Sequence, residues 1–262
     1  MQIDILKLVE IVKETRNLLM NNEEASQVTV KGAKDYVTQV DLHVQEYMRR
    51  RLGEEWPEIQ FMGEEKDNSD LDFEGALWIL DPVDGTTNLI HDYQNSAVSL
   101  GLCDHGEIVA GVIYQPFSGE TFYARKGQGA YLNGKRIHVT DVSDIGESLI
   151  SFGTTPYERE YADRNFAMLK KIFMDSQDIR RIGSAAVDLA YVACGRTEAF
   201  FEMNLKPWDF AAGIIIIEEA GGTVTDYEQN RIVPWKNSNI LASNGKIGKI
   251  LAEKYIAEVD WK

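Results

Sequence analysis

Cysteine is scarce in this chain: 262 residues contain two, Cys103 and Cys194, both in apolar surroundings and with no metal-ligand spacing. That excludes a disulfide framework and a cysteine-based zinc site, and it predicts buried free thiols in a reducing compartment. Basic residues are also few. Lys and Arg total 27 against 42 Asp and Glu, a net charge of −15. A face for nucleic acid or anionic membrane needs an excess of cations, so neither is expected as a direct partner. Long apolar runs are missing as well. The longest, Ala211 to Ile217, is too short to span a bilayer. Met1 to Met20 places Ile5, Leu8, Val9, Val12 and Leu19 at helical spacing, with Asp4, Lys7, Glu10, Lys13 and Glu14 between them. It reads as an amphipathic helix rather than a signal peptide, and the expectation is a cytoplasmic protein. There is no Gly-x-x-x-x-Gly-Lys-[Ser/Thr], no His-Glu-x-x-His and no Gly-x-Ser-x-Gly. The P-loop, zincin and nucleophile-elbow chemistries are therefore set aside. Gly127-Gln128-Gly129 does not extend to a dinucleotide fingerprint and is assigned to a hairpin.

What is present is an ordinary globular balance, 44% hydrophobic and 26% charged, in a length that suits one large domain or two small ones sharing an interface. A polar loop is expected over Asn21 to Lys34, then a helix through Val37, Val40, Val44, Tyr47, Met48 and Leu52 with Asp41 in its first turns. Ile59 to Met62 reads as a short strand that stops at Gly63-Glu64-Glu65, and Lys66 to Glu74 as a charged loop. From Ser96 the pattern is antiparallel strands, with Asn133-Gly134 as a two-residue hairpin turn. The second half alternates strand and helix. Pro207 onward could be either, since Ile214 to Ile217 is β-branched; its length, the leading Pro-Trp-Asp and the Gly221-Gly222 stop decide for a buried helix. A last helix is expected from Ile247 to Val259. The polar run Thr140 to Ser148 separates an N-terminal α+β part, 1–142, from a C-terminal α/β part, 143–262, within one compact unit.

The stretch that organises the chemistry is Trp78-Ile79-Leu80-Asp81-Pro82-Val83-Asp84-Gly85-Thr86-Thr87-Asn88. An apolar strand runs into a turn that carries two carboxylates, and a helix is expected to start there with Thr86 and Thr87 as hydroxyl caps. Alone, an Asp-x-x-Asp is an acidic turn. Glu64 alone is a surface acid, and Asp209 a helix-start acid. Placed together, Glu64, Asp81, Asp84 and Asp209 would repel one another strongly, so their convergence demands cations. With no His or Cys nearby the donors are all oxygen, and Mg²⁺ is the default.

Gly63-Glu64-Glu65, Asp81 to Asn88, and Trp208-Asp209-Phe210-Ala211-Ala212 through Glu219-Ala220-Gly221-Gly222 resemble, in order and spacing, the signature motifs of the inositol monophosphatase family. These are lithium-sensitive, Mg²⁺-dependent phosphomonoesterases, and weaker similarity covers nearly the whole chain. The resemblance implies an α+β fold, a layered αβαβα sandwich of the inositol monophosphatase and fructose-1,6-bisphosphatase type. It implies a first ion on Glu64, Asp81 and the Val83 carbonyl, a second on Asp81, Asp84 and Asp209, and a third near Glu64. Glu64 and Thr86 would orient and deprotonate the attacking water, with Asp84 in the same catalytic set. Gly85 and Thr86 would hold the phosphate through backbone N–H groups. Ser184, Ala186 and Glu202 would line the alcohol side of the substrate, with Asp209 also in reach, and Lys31 and Asp41 would support the acids. The substrate implied is a small phosphate ester, myo-inositol 1-phosphate first, and the assembly a homodimer. Fructose 1,6-bisphosphate, 3′-phosphoadenosine 5′-phosphate and NADP are the alternatives within the superfamily. From another class, a regulatory partner of the transcription machinery competes, because some bacterial relatives act that way.

Overall fold

The computed structural model describes residues 3–32 and 35–259, the side chains of residues 22, 31 and 35 excepted. The chain opens with α1 (Ile5–Lys13), α2 (Arg16–Leu19), α3 (Asn22–Ala25), the hairpin β1 (Val28–Gly32) and β2 (Asp35–Thr38), and the long α4 (Gln39–Glu55). Then come β3 (Gln60–Gly63), β4 (Leu77–Asp84), α5 (Thr86–Ile90), β5 (Ala97–Asp104), β6 (Glu107–Gln115), β7 (Glu120–Arg125), β8 (Ala130–Leu132) and β9 (Lys135–Ile137). The remainder is β10 (Leu149–Phe152), α6 (Ala162–Asp175), β11 (Asp178–Arg180), α7 (Ala185–Ala193), β12 (Ala199–Leu205), α8 (Pro207–Glu219), β13 (Thr223–Thr225), β14 (Ser238–Ser243) and α9 (Lys246–Leu251).

Strands β3 to β9 lie side by side in chain order in a seven-stranded sheet; a five-stranded sheet has the order β11-β10-β12-β14-β13. The chain crosses from one sheet to the other between Ile137 and Leu149. Period-two alternation builds the layers. On β4, Trp78 and Leu80 pack with α1 and α4 through Leu8, Ile11, Val44 and Met48, while Leu77 and Ile79 face α7 and α8. On β12, Phe200 joins that same middle core, whereas Ala199 and Phe201 face α6 and α9 through Leu169, Ile172, Ile247 and Leu251. The order is therefore helix, sheet, helix, sheet, helix. This is the expected αβαβα sandwich, of the α+β class.

Several local expectations are corrected. Asn21 to Lys34 is not a continuous loop, because Asn22–Ala25 is helical and Val28–Gly32 pairs with Asp35–Thr38. The β-branched Val28, Thr29 and Val30 explain the strand. Residues 33 and 34 lie outside the described set. The last helix stops early, at Leu251, and passes into a single π turn, Ala252–Ile256. Thr86 and Thr87 do not cap α5 through their hydroxyls. Gly85 is the N-cap in a left-handed conformation (φ 89°), and no side chain caps that end.

Helix α8 is seated on the large sheet by two glycines. Gly101 on β5 and Gly111 on β6 are directly paired. A Cβ on Gly101 would come within 2.9 Å of the Ala211 Cβ, and one on Gly111 within 2.8 Å of the Ala212 carbonyl. The backbone of α8 thus lies against the sheet with no side chain between, which fixes where the start of α8 meets β4.

Candidate active site

β4 is buried along its whole length and ends in the two acids. Residues three apart on a regular strand point to opposite faces. Here the β4–β5 pairing shifts between Asp81, opposite Ser99, and Asp84, opposite Ala97. The irregularity brings both carboxylates round to one side. Ser99 completes the arrangement: its hydroxyl donates to the Trp208 carbonyl at 3.0 Å, tying the residue before Asp209 to the strand that faces Asp81. Asp209, in the first turn of α8, accepts from the Lys206 N–H at 2.8 Å. As a result, Asp81, Asp84 and Asp209 each offer an oxygen within 4.8 Å of the others.

Each acid is oriented. Asp81 Oδ1 accepts from the Val83 N–H at 2.9 Å. Asp84 Oδ2 accepts from the Ser184 hydroxyl and from the Ala186 N–H at 2.7 Å. Glu64 follows β3 directly, its N–H donating to the Leu80 carbonyl at 3.3 Å beside Asp81. Burial, followed by the charges of Glu64, Asp84 and Asp209, holds the Asp81 carboxyl well above the usual range. Burial pushes Asp84 up to about 6 against the pull of Ser184 and Ala186. Asp209 is raised by burial, then by Asp84 and Glu64. Among the described residues no Lys or Arg forms an ion pair with any of the three. Crowded, buried carboxylates with no cationic partner among the described residues form an all-oxygen donor set suited to a hard divalent cation such as Mg²⁺.

Thr86 stands beside this cluster. Its hydroxyl lies 3.1 Å from the Val83 carbonyl and 3.2 Å from Asp41 Oδ1. Asp41 is fully buried, and its other oxygen accepts from the Thr38 N–H at 2.8 Å and from the Thr38 hydroxyl. Asp41 therefore does more than complement a helix dipole: Thr38 and Asp41 form a capping box on α4, and the carboxyl so fixed holds Thr86. Burial raises its pKa, offset by the Thr38 contacts. Lys31 is on β1, and its side chain lies outside the described residues.

Ser184 and Ala186 are buried at the start of α7, with the Ser184 hydroxyl and the Ala186 N–H turned to Asp84. Glu202 Oε1 accepts from the Thr155 N–H at 2.9 Å, and burial pushes the carboxyl up to about 7, with Arg181 opposing. The Asp84 charge adds to the rise. Gly153 makes room for it, since a Cβ there would lie 1.8 Å from the Glu202 carboxyl carbon. Gly153→Ala is accordingly expected to push Glu202 out of place. Where Glu202 reads substrate hydroxyls, KM for a polyol phosphate rises about tenfold with kcat little changed. Steady-state kinetics check it, and an unchanged KM would show that Glu202 does not hold the substrate.

The profile of the inositol monophosphatase family matches residues 2–261. The chain belongs to that family. It is 35% identical to the Nus factor SuhB of Escherichia coli over 248 residues, 93% of this chain and 92% of that one. It is 38% identical to the inositol-1-monophosphatase of Rhizobium meliloti over 227 residues, 87% of this chain and 85% of that one. The IMPase of Thermotoga maritima superposes with a TM-score of 0.87 at 33% identity, covering 98% of each chain. Phosphatase is thus the chemistry this family's name describes, and a relative named as a Nus factor stands beside it. Among the described residues no helix is long and apolar enough to cross a membrane.

Within this family member, sequence reading passed over two supports of the site. Thr38 carried a signal, as the first residue of Thr-x-x-Asp before a helix. Gly153 carried none, because its need for space arises from β12, a distant strand.

Proposed function

We propose that this protein is a Mg²⁺-dependent phosphomonoesterase acting on a small polyol phosphate, myo-inositol 1-phosphate foremost. The observation that carries the reading is the trio Asp81, Asp84 and Asp209 within 4.8 Å, without a cationic partner among the described residues and next to the Thr86–Asp41 pair. In this reading Asp81, Asp84 and Asp209, with Glu64 and the Val83 carbonyl, hold two or three Mg²⁺ ions. When bound, Mg²⁺ lowers the pKa of the attacking water and offsets charge on the attacking and leaving oxygens.

The protein's own groups do the rest. The Thr86 hydroxyl donates to Asp41 Oδ1, which leaves its lone pairs turned to the water, and Glu64 takes the water's proton. Gly85 and Thr86 at the start of α5 receive the phosphate oxygens through N–H groups. Glu202 accepts from the alcohol's hydroxyls, and no covalent phosphoenzyme is needed. The test is phosphate release from myo-inositol 1-phosphate, fructose 1,6-bisphosphate, 3′-phosphoadenosine 5′-phosphate and NADP, with Mg²⁺ and then with chelator. Release that vanishes with chelator and ranks the inositol ester first in kcat/KM is expected. Release that persists in chelator would remove the metal from the reaction.

A second reading rests on the 35% identity to a Nus factor: a protein-binding role beside catalysis. With a net charge of −15 the partner would present a basic patch rather than RNA. Capture of the same transcription proteins by wild type and by Asp84→Asn would support it. Capture by neither would dismiss it.

A further inference from the structure

Asn88 stands at the end of the stretch that carries Asp81, Asp84 and Thr86, yet it takes no part in the chemistry above. It lies on α5 and is 7% exposed. Its amide nitrogen donates to two backbone carbonyls, Asn95 at 2.8 Å and Ile182 at 3.1 Å. An amide nitrogen carries two hydrogens, so both are used, and two carbonyl acceptors leave one choice for the way the amide faces. The Asn88 carbonyl also takes the Tyr93 N–H at 2.8 Å, closing the loop that leads to Asn95. The two acceptors belong to different halves of the fold. Asn95 precedes β5 of the seven-stranded sheet, whereas Ile182 lies between β11 of the five-stranded sheet and α7. One side chain therefore ties a loop from each sheet to α5.

Both tied segments close on Asp84. Ile182 is two residues before Ser184, whose hydroxyl holds Asp84 Oδ2 together with the Ala186 N–H. On the other side Ser96, next to Asn95, donates to the carbonyl of Gly85, the residue after Asp84, at 2.9 Å. The fit there is close: a Cβ on Gly85 would lie 3.1 Å from the Asn95 carbonyl oxygen and 3.2 Å from that of Gly183. Asn95 is anchored in turn, its Oδ1 accepting from the buried Gln115 amide on β6 at 3.0 Å. Gly183 lets the 182–184 segment come this near, since its φ is 87° and a Cβ would stand 3.0 Å from the Asn88 amide oxygen. Without the Asn88 amide, the Ile182 and Asn95 carbonyls lose this donor, and the segment that carries Ser184 loses its tie to α5.

We propose that Asn88 is a positioning residue for the metal site, holding Ile182 to Ser184 against the β4–α5 turn so that Ser184 and Ala186 keep Asp84 turned towards Asp81 and Asp209. The proposal rests on the reading of these acids as a Mg²⁺ site. It deepens that reading, because ion affinity then depends on a contact between the two halves of the fold, made by a side chain that is not itself a ligand.

A double-mutant cycle in Mg²⁺ affinity tests it, read by calorimetric titration on proteins that circular dichroism shows to be folded. Asn88→Ala is expected to weaken Mg²⁺ binding about tenfold, the lower end of what losing a group behind a metal ligand costs. Ser184→Ala removes the hydroxyl through which Asn88 acts. In that background Asn88→Ala is expected to cost less than about threefold more, because residues of one hydrogen-bond network do not add. Equal losses in both backgrounds would mean that Asn88 acts by general packing, and would overturn the proposal. Unchanged affinity in Asn88→Ala would overturn it too. Should Asn88→Ala not fold, Asn88→Ser, which keeps one donor, is read in the same cycle against the same outcomes. Wild type that binds no Mg²⁺ would sink the metal reading and this proposal with it. Wild type that binds Mg²⁺ but hydrolyses no ester would sink the phosphatase reading alone, and the cycle would still decide the part played by Asn88.

Discussion

Asp84→Asn is expected to cut Mg²⁺-dependent phosphate release by about a thousandfold or more, on the scale of losing a group that stabilises charge in the transition state. The fold should survive. Asp84 Oδ2 accepts from the Ser184 hydroxyl and the Ala186 N–H, and an amide oxygen can accept from both. What the amide cannot supply is the negative charge shared with Asp81 and Asp209. Circular dichroism separates loss of folding from loss of chemistry, and calorimetric titration with Mg²⁺ reports the weakened affinity directly. A folded Asp84→Asn with near-wild-type turnover would sink the assignment of this cluster as the metal site. The same substitution relieves crowding, so the variant should melt higher than wild type in chelator at neutral pH. A merely structural aspartate would give the opposite sign.

Much of this site was legible because its residues obey local rules. The strand Trp78 to Leu80, the turn at Pro82 to Gly85 and the helix opened by Pro207 each carry a propensity signal within a few residues, and three acids sit at their ends. The five layers followed from resemblance to a family, and the alternation on β4 and β12 gives their physical basis. What escaped was set by distance. Nothing near Gly153 says that Glu202, on another strand, will occupy the space a Cβ would fill. Thr86 had the composition of a cap, but Gly85 took the cap position and freed the hydroxyl for Asp41, 45 residues earlier. The β1–β2 hairpin was hidden by polar neighbours, because two short strands with exposed Val28 and Val30 bury too little to show an alternating pattern.

The crowded acids also make stability depend on pH in an unusual direction. An acid whose folded pKa lies above its unfolded value binds more protons when folded, so its contribution is full below the unfolded pKa and is lost as pH rises through the folded one. For Asp84 that window runs from about 3.9 to about 6, and for Glu202 from about 4.3 to about 7. Asp81 and Asp209 are shifted the same way. Asp84 alone corresponds to a loss on the order of 3 kcal/mol. Exposed acids with lowered pKa, such as Glu14 and Glu107, act oppositely but are screened by solvent and finish titrating below this range. The raised group wins between pH 5 and 7 on that balance, about two units of pH. In chelator, therefore, the Tm is expected to fall by roughly 5 to 10 °C from pH 5 to pH 7. Saturating Mg²⁺ should cancel the fall, because the ion binds the ionised carboxylates and its stabilisation grows as they lose protons. Differential scanning calorimetry at fixed ionic strength measures both curves. A chelated protein whose Tm stays flat or climbs over that interval would mean that these carboxylates are not crowded in solution, and a Mg²⁺ curve parallel to the chelated one would mean that they do not share an ion.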